Sequence, residues 1–138
     1  MNVFTGEKME TAKVWDKEFG KKLTGDNMSD VLNNYLNTAE NDPEAVQVIA
    51  DCFLEQLSEI LALFRSQKKF HMFGSSLLFV YDAEAILRFC ETRDKEVLRD
   101  ATRLRMIDFA HVFLEDCIDA NYVFGVENIG RVLFNDFK

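Results

Sequence analysis

No stretch of this sequence stays apolar for the roughly 18–20 residues that a membrane-crossing helix requires. The first residues, Met1-Asn2-Val3-Phe4-Thr5-Gly6, have neither the basic start and apolar core of an export signal nor a small-residue cleavage site. The expectation is a soluble protein inside the cell, in cytoplasm or nucleus. Proline occurs once, at Pro43, and no Gly/Pro-rich linker, internal repeat or low-complexity tract divides the 138 residues, so one compact unit is expected. Basic charge is in deficit, with 16 Lys and Arg against 24 Asp and Glu and a net charge of −8. Such a field repels nucleic acid and anionic membranes, and neither is expected as a partner. Cysteine is scarce as well. Cys52, Cys90 and Cys117 are odd in number and far apart, which excludes a disulfide framework and the close pairs of a zinc site; they read as reduced thiols of the core.

What is present is core material: 48% of the residues are hydrophobic and 13 are Phe. Residues 1–12 read as a loose, partly extended leading segment, followed by a short apolar stretch at Val14-Trp15. Asp26 reads as the N-cap of a helix over 27–37, with Met28, Val31, Leu32, Tyr35 and Leu36 on one face. Asp42-Pro43-Glu44 sets a cap, a first-turn proline and an acid at the start of a second helix. That helix runs over 43–66 and buries Val46, Ile49, Phe53, Leu57, Ile60, Leu61 and Phe64. Phe73-Gly74-Ser75-Ser76 then leads into the β-prone run Leu77 to Tyr81, read as a central strand closed by Asp82. Residues 84–100 fit either strand-turn-helix or helix throughout. The run 104–112 reads as a second buried strand interrupted by one acid, 116–121 as a polar turn, and 124–137 as a closing helix. The fold class is α+β, a small antiparallel sheet packed against several helices.

The interrupting acid is Asp108. A lone carboxylate inside an apolar strand is costly to bury and persists with a partner, either a metal ion or backbone amides and Arg105. His111 follows three residues later, near enough to address the same cleft if the strand turns at 109–110, though a lone histidine also serves as a structural residue. Ser75 and Ser76 follow Gly74, where hydroxyls and open amides can approach a phosphate or a hydrated metal, or simply form a turn. Lys17, Lys21 and Lys22 surround Gly20, and Lys68 and Lys69 precede the first strand. Each cluster reads as a phosphate clamp or as a solvated face.

The order of these features resembles one family. Gly74-Ser75-Ser76-Leu77-Leu78-Phe79-Val80-Tyr81-Asp82 resembles the SSLL motif of inositol polyphosphate kinases, and Met106-Ile107-Asp108-Phe109-Ala110-His111 resembles their IDF motif. The IDF-Ala-His form is most similar to the inositol hexakisphosphate kinase and inositol polyphosphate multikinase branches. Asn121-Tyr122-Val123-Phe124-Gly125-Val126-Glu127-Asn128 resembles their tyrosine-phenylalanine-glycine-leucine-glutamate-asparagine segment. Lys17-Glu18-Phe19-Gly20-Lys21-Lys22-Leu23-Thr24 is similar to their lysine-tyrosine-tyrosine-glycine-arginine stretch. The likeness covers roughly residues 13–134.

The resemblance implies the C-terminal lobe of a two-lobed kinase over 13–138 and ATP-dependent phosphoryl transfer to an inositol polyphosphate, with Mg2+ and ATP as cofactors. Asp108 is implied as the metal-binding and catalytic aspartate, holding the cation against the β- and γ-phosphates. Ser75 and Ser76 are implied at the floor of the nucleotide and metal site, and His111, Lys17, Lys21 and Lys22 as substrate-binding. The family's P-x-x-x-D-x-K-x-G signature is absent, and with it the ribose-binding aspartate and a substrate lysine. The expectation is therefore a chain with low or no activity alone, completed by a missing kinase lobe or a protein partner. The alternative is a catalytically inactive module of kinase descent that binds inositol polyphosphate or a protein.

Overall fold

A long helix forms the bed of the molecule, and its caps explain where it starts. In the computed structural model, which describes residues 2–3 and 13–137, two short strands, β1 (Asn2–Val3) and β2 (Lys13–Val14), pair antiparallel and are followed by helix α1 (Lys17–Lys21) and helix α2 (Met28–Leu36). The remainder of the 1–12 leading segment lies outside the described residues. The bed helix, α3, spans Pro43–Ser66, and the Asp42 carboxylate accepts hydrogen bonds from the amides of Glu44 and Ala45 at its start. Its apolar stripe is the expected one: Val46, Ile49, Phe53, Leu57 and Phe64 are buried, with Ile60 and Leu61 partly so. Helix α2 begins as expected, but its cap position is Asn27 rather than Asp26, and the Asn27 side chain turns back to accept from the Thr24 amide instead of capping the helix.

After α3 the chain forms β3 (Phe70–Met72) and β4 (Ser76–Tyr81), then α4 (Ala83–Thr92) and α5 (Lys95–Asp100). The open region 84–100 is therefore two helices. Asp82 and Asp94 cap them, accepting from the amides of Glu84 and Glu96, and Arg93 in the left-handed region (φ 56°) breaks the chain between them. Strands β5 (Thr102–Ile107) and β6 (Val112–Leu114) follow, and α6 (Ala120–Asp136) closes the fold against α3. Helix α6 starts four residues earlier than the sequence pattern suggests, because Asp119 caps it by accepting from the Tyr122 amide. Gly130 lies where α6 crosses α3; a Cβ there would stand 3.4 Å from Leu57.

The strands make two antiparallel ladders. β4 pairs with β5 from Ser76–Ile107 to Tyr81–Thr102, and β3 pairs with β6 from Phe70–Leu114 to Met72–Val112. Because β3 runs into β4 and β5 into β6, the ladders are two halves of one bent ribbon, and the Phe73 amide donates to the His111 carbonyl (3.0 Å) at the bend. Two expectations are corrected here. Strand β4 is not central, having β5 as its one strand neighbour among the described residues, and the run 104–112 is two strands separated by an irregular stretch at 108–111. The thiols differ too: Cys52 is buried, whereas Cys90 and Cys117 are exposed.

Leu77, Phe79 and Tyr81 on the inner face of β4 pack onto the core. The buried phenols fasten that face to α2, Tyr35 donating to the Phe79 carbonyl (2.6 Å) and Tyr81 to the Tyr35 carbonyl (2.8 Å), and burial pushes both hydroxyl pKa values up. The free edge of β5 is fastened to α3 by one side chain. The Gln56 Nε2 donates to the Thr102 carbonyl (3.3 Å), and its Oε1 accepts from the Leu104 amide (2.9 Å), so the side-chain amide stands in for a third strand. Replacing Gln56 by Ala leaves the Leu104 amide unpartnered beneath α3 and the Thr102 carbonyl with the Arg103 guanidinium (2.8 Å), and urea unfolding should register a loss of about 1–3 kcal/mol.

Candidate functional site

The bend of the ribbon is set by two residues with left-handed backbone, one on each side. Gly74 (φ +70°) takes this conformation at no steric cost. Asp108, immediately after β5, takes it at φ 64°, which a short polar side chain tolerates better than an apolar one but which remains strained. The strand therefore ends before the carboxylate. Asp108 is exposed and makes no ion pair or side-chain hydrogen bond among the described residues. The expectation of a carboxylate buried within a strand is thus corrected. Arg105 does not satisfy it either, since its guanidinium donates to the Leu104 carbonyl and to Gln56 Oε1.

Register brings three of the other expected residues to the same bend. Ser76 lies opposite Ile107, the residue before Asp108, and Met72 lies opposite Val112, the residue after His111. Ser75, Ser76, Asp108 and His111 thus flank one break in the ribbon from both sides. The His111 side chain is exposed. Ser75 Oγ and the nearby Tyr122 Oη are both shut off from solvent and neither completes a hydrogen bond. Burial raises the Tyr122 pKa, and the neighbouring Ser75 hydroxyl opposes that rise.

The lysines are placed differently. Lys17 and Lys21 lie on α1 and Lys22 follows its last turn; all are exposed, Lys21 pairs with Glu18 at 2.6 Å, and no contact among the described residues joins them to Asp108 or His111.

Sequence reasoning missed two features. The outer face of β4 and β5 presents Leu78, Val80 and Ile107, 43%, 45% and 39% exposed, as a platform shared with the exposed Arg105 and Arg103, which lie opposite Leu78 and Val80. Its signal was the period-two alternation from Ser76 to Tyr81, in which Leu78 and Val80 share a face with Ser76 while Leu77 and Phe79 turn inward. The second is Asp119, read as part of a polar turn. It is buried, accepts from the Met72 amide (2.7 Å) and the Tyr122 amide (3.0 Å), and so ties β3 to the start of α6.

No group of three or more His, Cys, Asp or Glu converges among the described residues, so a zinc-like cage is absent there. One free carboxylate is nonetheless a sufficient protein ligand for a hard cation that keeps its remaining shell as water and phosphate oxygen. The residues at the bend fit a magnesium-type ion on those terms.

This fold is that of the inositol phosphate multikinases: it superposes with a TM-score of 0.77 on the crystal structure of the S. cerevisiae multikinase Ipk2 solved with ADP and Mn2+, at 22% identity over 96% of this chain and 55% of that one. The profile of the inositol polyphosphate kinase family matches residues 1–134, and the chain belongs to that family. Among curated relatives, human inositol hexakisphosphate kinase 3 is 29% identical over 86% of this chain and 33% of its own length. The multikinase IPK2 of Oryza sativa subsp. indica is 30% identical over 82% of this chain and 40% of its own. The chain thus spans about a third to two-fifths of the length of these relatives.

Because Asp108 is exposed and unpartnered, Asp108→Asn should change unfolding free energy by no more than about 0.5 kcal/mol. Asp108→Val, with a branched Cβ at positive φ, should cost about 1–2 kcal/mol. Denaturant titration of the two variants separates this placement from a buried, bonded carboxylate, for which the Asn variant would lose several kcal/mol.

Proposed function

We propose that this chain supplies the metal-holding and substrate-facing part of an ATP-dependent inositol polyphosphate kinase. The observation that carries the reading is the strained, exposed and unpaired Asp108 at the bend of the ribbon. A protein tolerates backbone strain at a polar residue that nothing else satisfies where that residue has work to do. Family membership makes phosphoryl transfer the work that fits.

In this reading Asp108 holds Mg2+ with ATP, as the yeast multikinase in its crystal structure carries Mn2+ with ADP. The cation supplies charge neutralisation across the β- and γ-phosphates. Leu78 on β4 and Ile107 on β5, the residue before Asp108, offer exposed apolar side chains on which a purine can lie, with Arg105 opposite Leu78. Ser76 and the backbone at Gly74 and Ser75 form the floor beside the phosphates, the Ser75 hydroxyl itself being shut off from solvent. His111 faces the inositol phosphate from the other side of the bend, and Lys17, Lys21 and Lys22 supply positive charge from α1. Transfer of this kind depends on position and charge rather than on a covalent intermediate, so few residues are needed but each must be held.

The missing P-x-x-x-D-x-K-x-G signature leaves the nucleotide without its ribose contact and the substrate without one lysine. The chain alone should therefore turn over slowly or not at all until further residues cover the outer face of the ribbon. A second reading has its own observation: Leu78, Val80, Ile107, Phe109 and Phe113 leave an apolar ribbon surface open, which suits a module that docks a protein rather than one that catalyses.

Two measurements separate the readings. Calorimetry with inositol hexakisphosphate should give binding that survives Asp108→Asn and weakens at least about tenfold in a combined Lys17, Lys21 and Lys22 to Ala variant. Transfer of labelled phosphate from ATP should be slow and should drop more than about a hundredfold in Asp108→Asn. Transfer that is robust in the chain alone contradicts the incomplete site. Slow transfer that is indifferent to Asp108 contradicts the kinase reading.

A further inference from the structure

Side chains close the outer edges of three of the ribbon's strands. Gln56 bonds along β5, and Tyr35 takes the Phe79 carbonyl on β4. On β3 the Gln67 side-chain amide bonds both the N–H and the C=O of Phe70, while Asp119 holds the Met72 amide. The edge of β6 differs. The Phe73 amide donates to the His111 carbonyl (3.0 Å) and the Glu115 amide to the Lys69 carbonyl (3.1 Å). In the antiparallel alternation His111, Phe113 and Glu115 therefore bond to the β3 side, and Val112 and Leu114 turn their N–H and C=O groups outward. Among the described residues no strand lies beside that edge and no side chain bonds to it. Both faces of β6 are uncovered as well. Phe113, edge-on to Phe73 at 5.2 Å, is 52% exposed on one, and Leu114, opposite Phe70, is 78% exposed on the other.

We propose that two copies of this chain pair along this edge, β6 against β6, antiparallel about a two-fold axis at Phe113, to make one sheet of strand order β3-β6-β6-β3. The edge is complementary to itself on that axis. Val112 of each copy lies opposite Leu114 of the other, and these are the residues whose outward N–H and C=O groups can then be exchanged as backbone bonds. Phe113 meets Phe113 as the closer, non-bonded pair, with Cα atoms about 4.5 Å apart, a spacing at which aromatic side chains stabilise each other. The next residues out match in charge. His111 lies opposite Glu115 of the second copy at both ends, on the Phe113 face, and both are exposed with no ion pair among the described residues. A foreign strand has no such register built in, whereas a second copy does. Strands this short bury less than the roughly 1,200 Å2 of a stable interface, so the association belongs to the weak class. The net charge of −8 on each copy opposes it until salt screens the field. The pairing shares His111 with the proposed transfer site but rests on the backbone pattern of the edge, so its failure leaves the kinase reading standing.

Sedimentation equilibrium of the full chain, from about 10 μM to about 1 mM in about 0.2 M NaCl, should fit a monomer–dimer equilibrium with Kd on the order of 0.1 mM. Val112→Pro removes an outward N–H that β3 does not use, and Leu114→Lys sets a charge on the exposed edge. Each should weaken the dimer at least about tenfold while the thermal midpoint stays close to that of the unmodified chain, and the lysine variant keeps the test sound should the proline variant misfold. Glu115→Lys, which faces His111 of the second copy with a like charge, should weaken it at least about threefold. The axis is tested by crosslinking in a Cys90→Ser, Cys117→Ser background, which removes the two exposed thiols. There oxidised glutathione should join Phe113→Cys into a disulfide-linked dimer at least about tenfold faster than Leu78→Cys on the outer face of β4. A chain monomeric to about 1 mM, a dimer indifferent to both edge variants, or a dimer in which Phe113→Cys crosslinks no faster than Leu78→Cys would overturn the proposal.

Discussion

The geometry at the bend depends on β5 being held in one register against the long helix, by its ladder with β4, by the buried Leu104 and by a single side-chain amide at its outer edge. Gln56, on α3, bonds both the Thr102 carbonyl and the Leu104 amide along an edge that has no strand beside it among the described residues. A two-stranded ribbon is marginal by itself, and its ends would fray or slip. With β5 fastened three residues before the break, Ile107 is fixed opposite Ser76 and the next residue, Asp108, is delivered to the surface at the turn of the chain. On the other side the Asp119 carboxylate does the same for β3 by holding the Met72 amide, and it anchors α6 in the same stroke. Two side chains thus hold the two arms of the ribbon and leave the loop between them constrained at both ends.

This arrangement answers a difficulty posed by the overall charge. A chain of net charge −8 is a poor attractor of anions at long range. On the proposed reading the site therefore depends on local features: an exposed carboxylate for a cation with a nucleotide, arginines interleaved with exposed apolar side chains on the outer face of the ribbon, and the lysines of α1 and its end, which no contact among the described residues joins to the bend. Lys21 is engaged by Glu18, but in an exposed pair, which contributes little and yields readily to a more highly charged ligand.

How much of this was legible in the sequence depends on the element. Helix α3 could be read to the residue because cap, first-turn proline and a continuous stripe agree over six turns. Residues 84–100 could not, since α4 and α5 are short, carry charges throughout and are separated only by the left-handed Arg93, a backbone choice that has no residue signature. Asp108 was found for a reason that proved incorrect. Its apolar flanks suggested one buried strand, yet they belong to β5 and β6, two strands of opposite ladders, and the acid lies at the break. The family motifs named Ser75, Ser76, Asp108 and His111 together, and the register explains how residues more than thirty positions apart come to flank one bend. The exposure of Leu78 and Ile107 escaped notice because the run was read as a central strand, covered on both faces, rather than as one arm of a two-stranded ribbon. Asp119 escaped because an acid in a turn looks solvated until the amides it holds are seen.

The claim on which all this turns is that the Asp108 carboxylate is free to hold a cation at the bend. Paramagnetic broadening by Mn2+ added with ADP tests it most directly in solution. The account predicts that amide resonances of Ser75, Ser76 and Asp108 broaden first and that Asp108→Asn, though equally folded, loses that localised effect. Broadening spread evenly over the acidic surface, or left unchanged at the bend in the Asn variant, would contradict it.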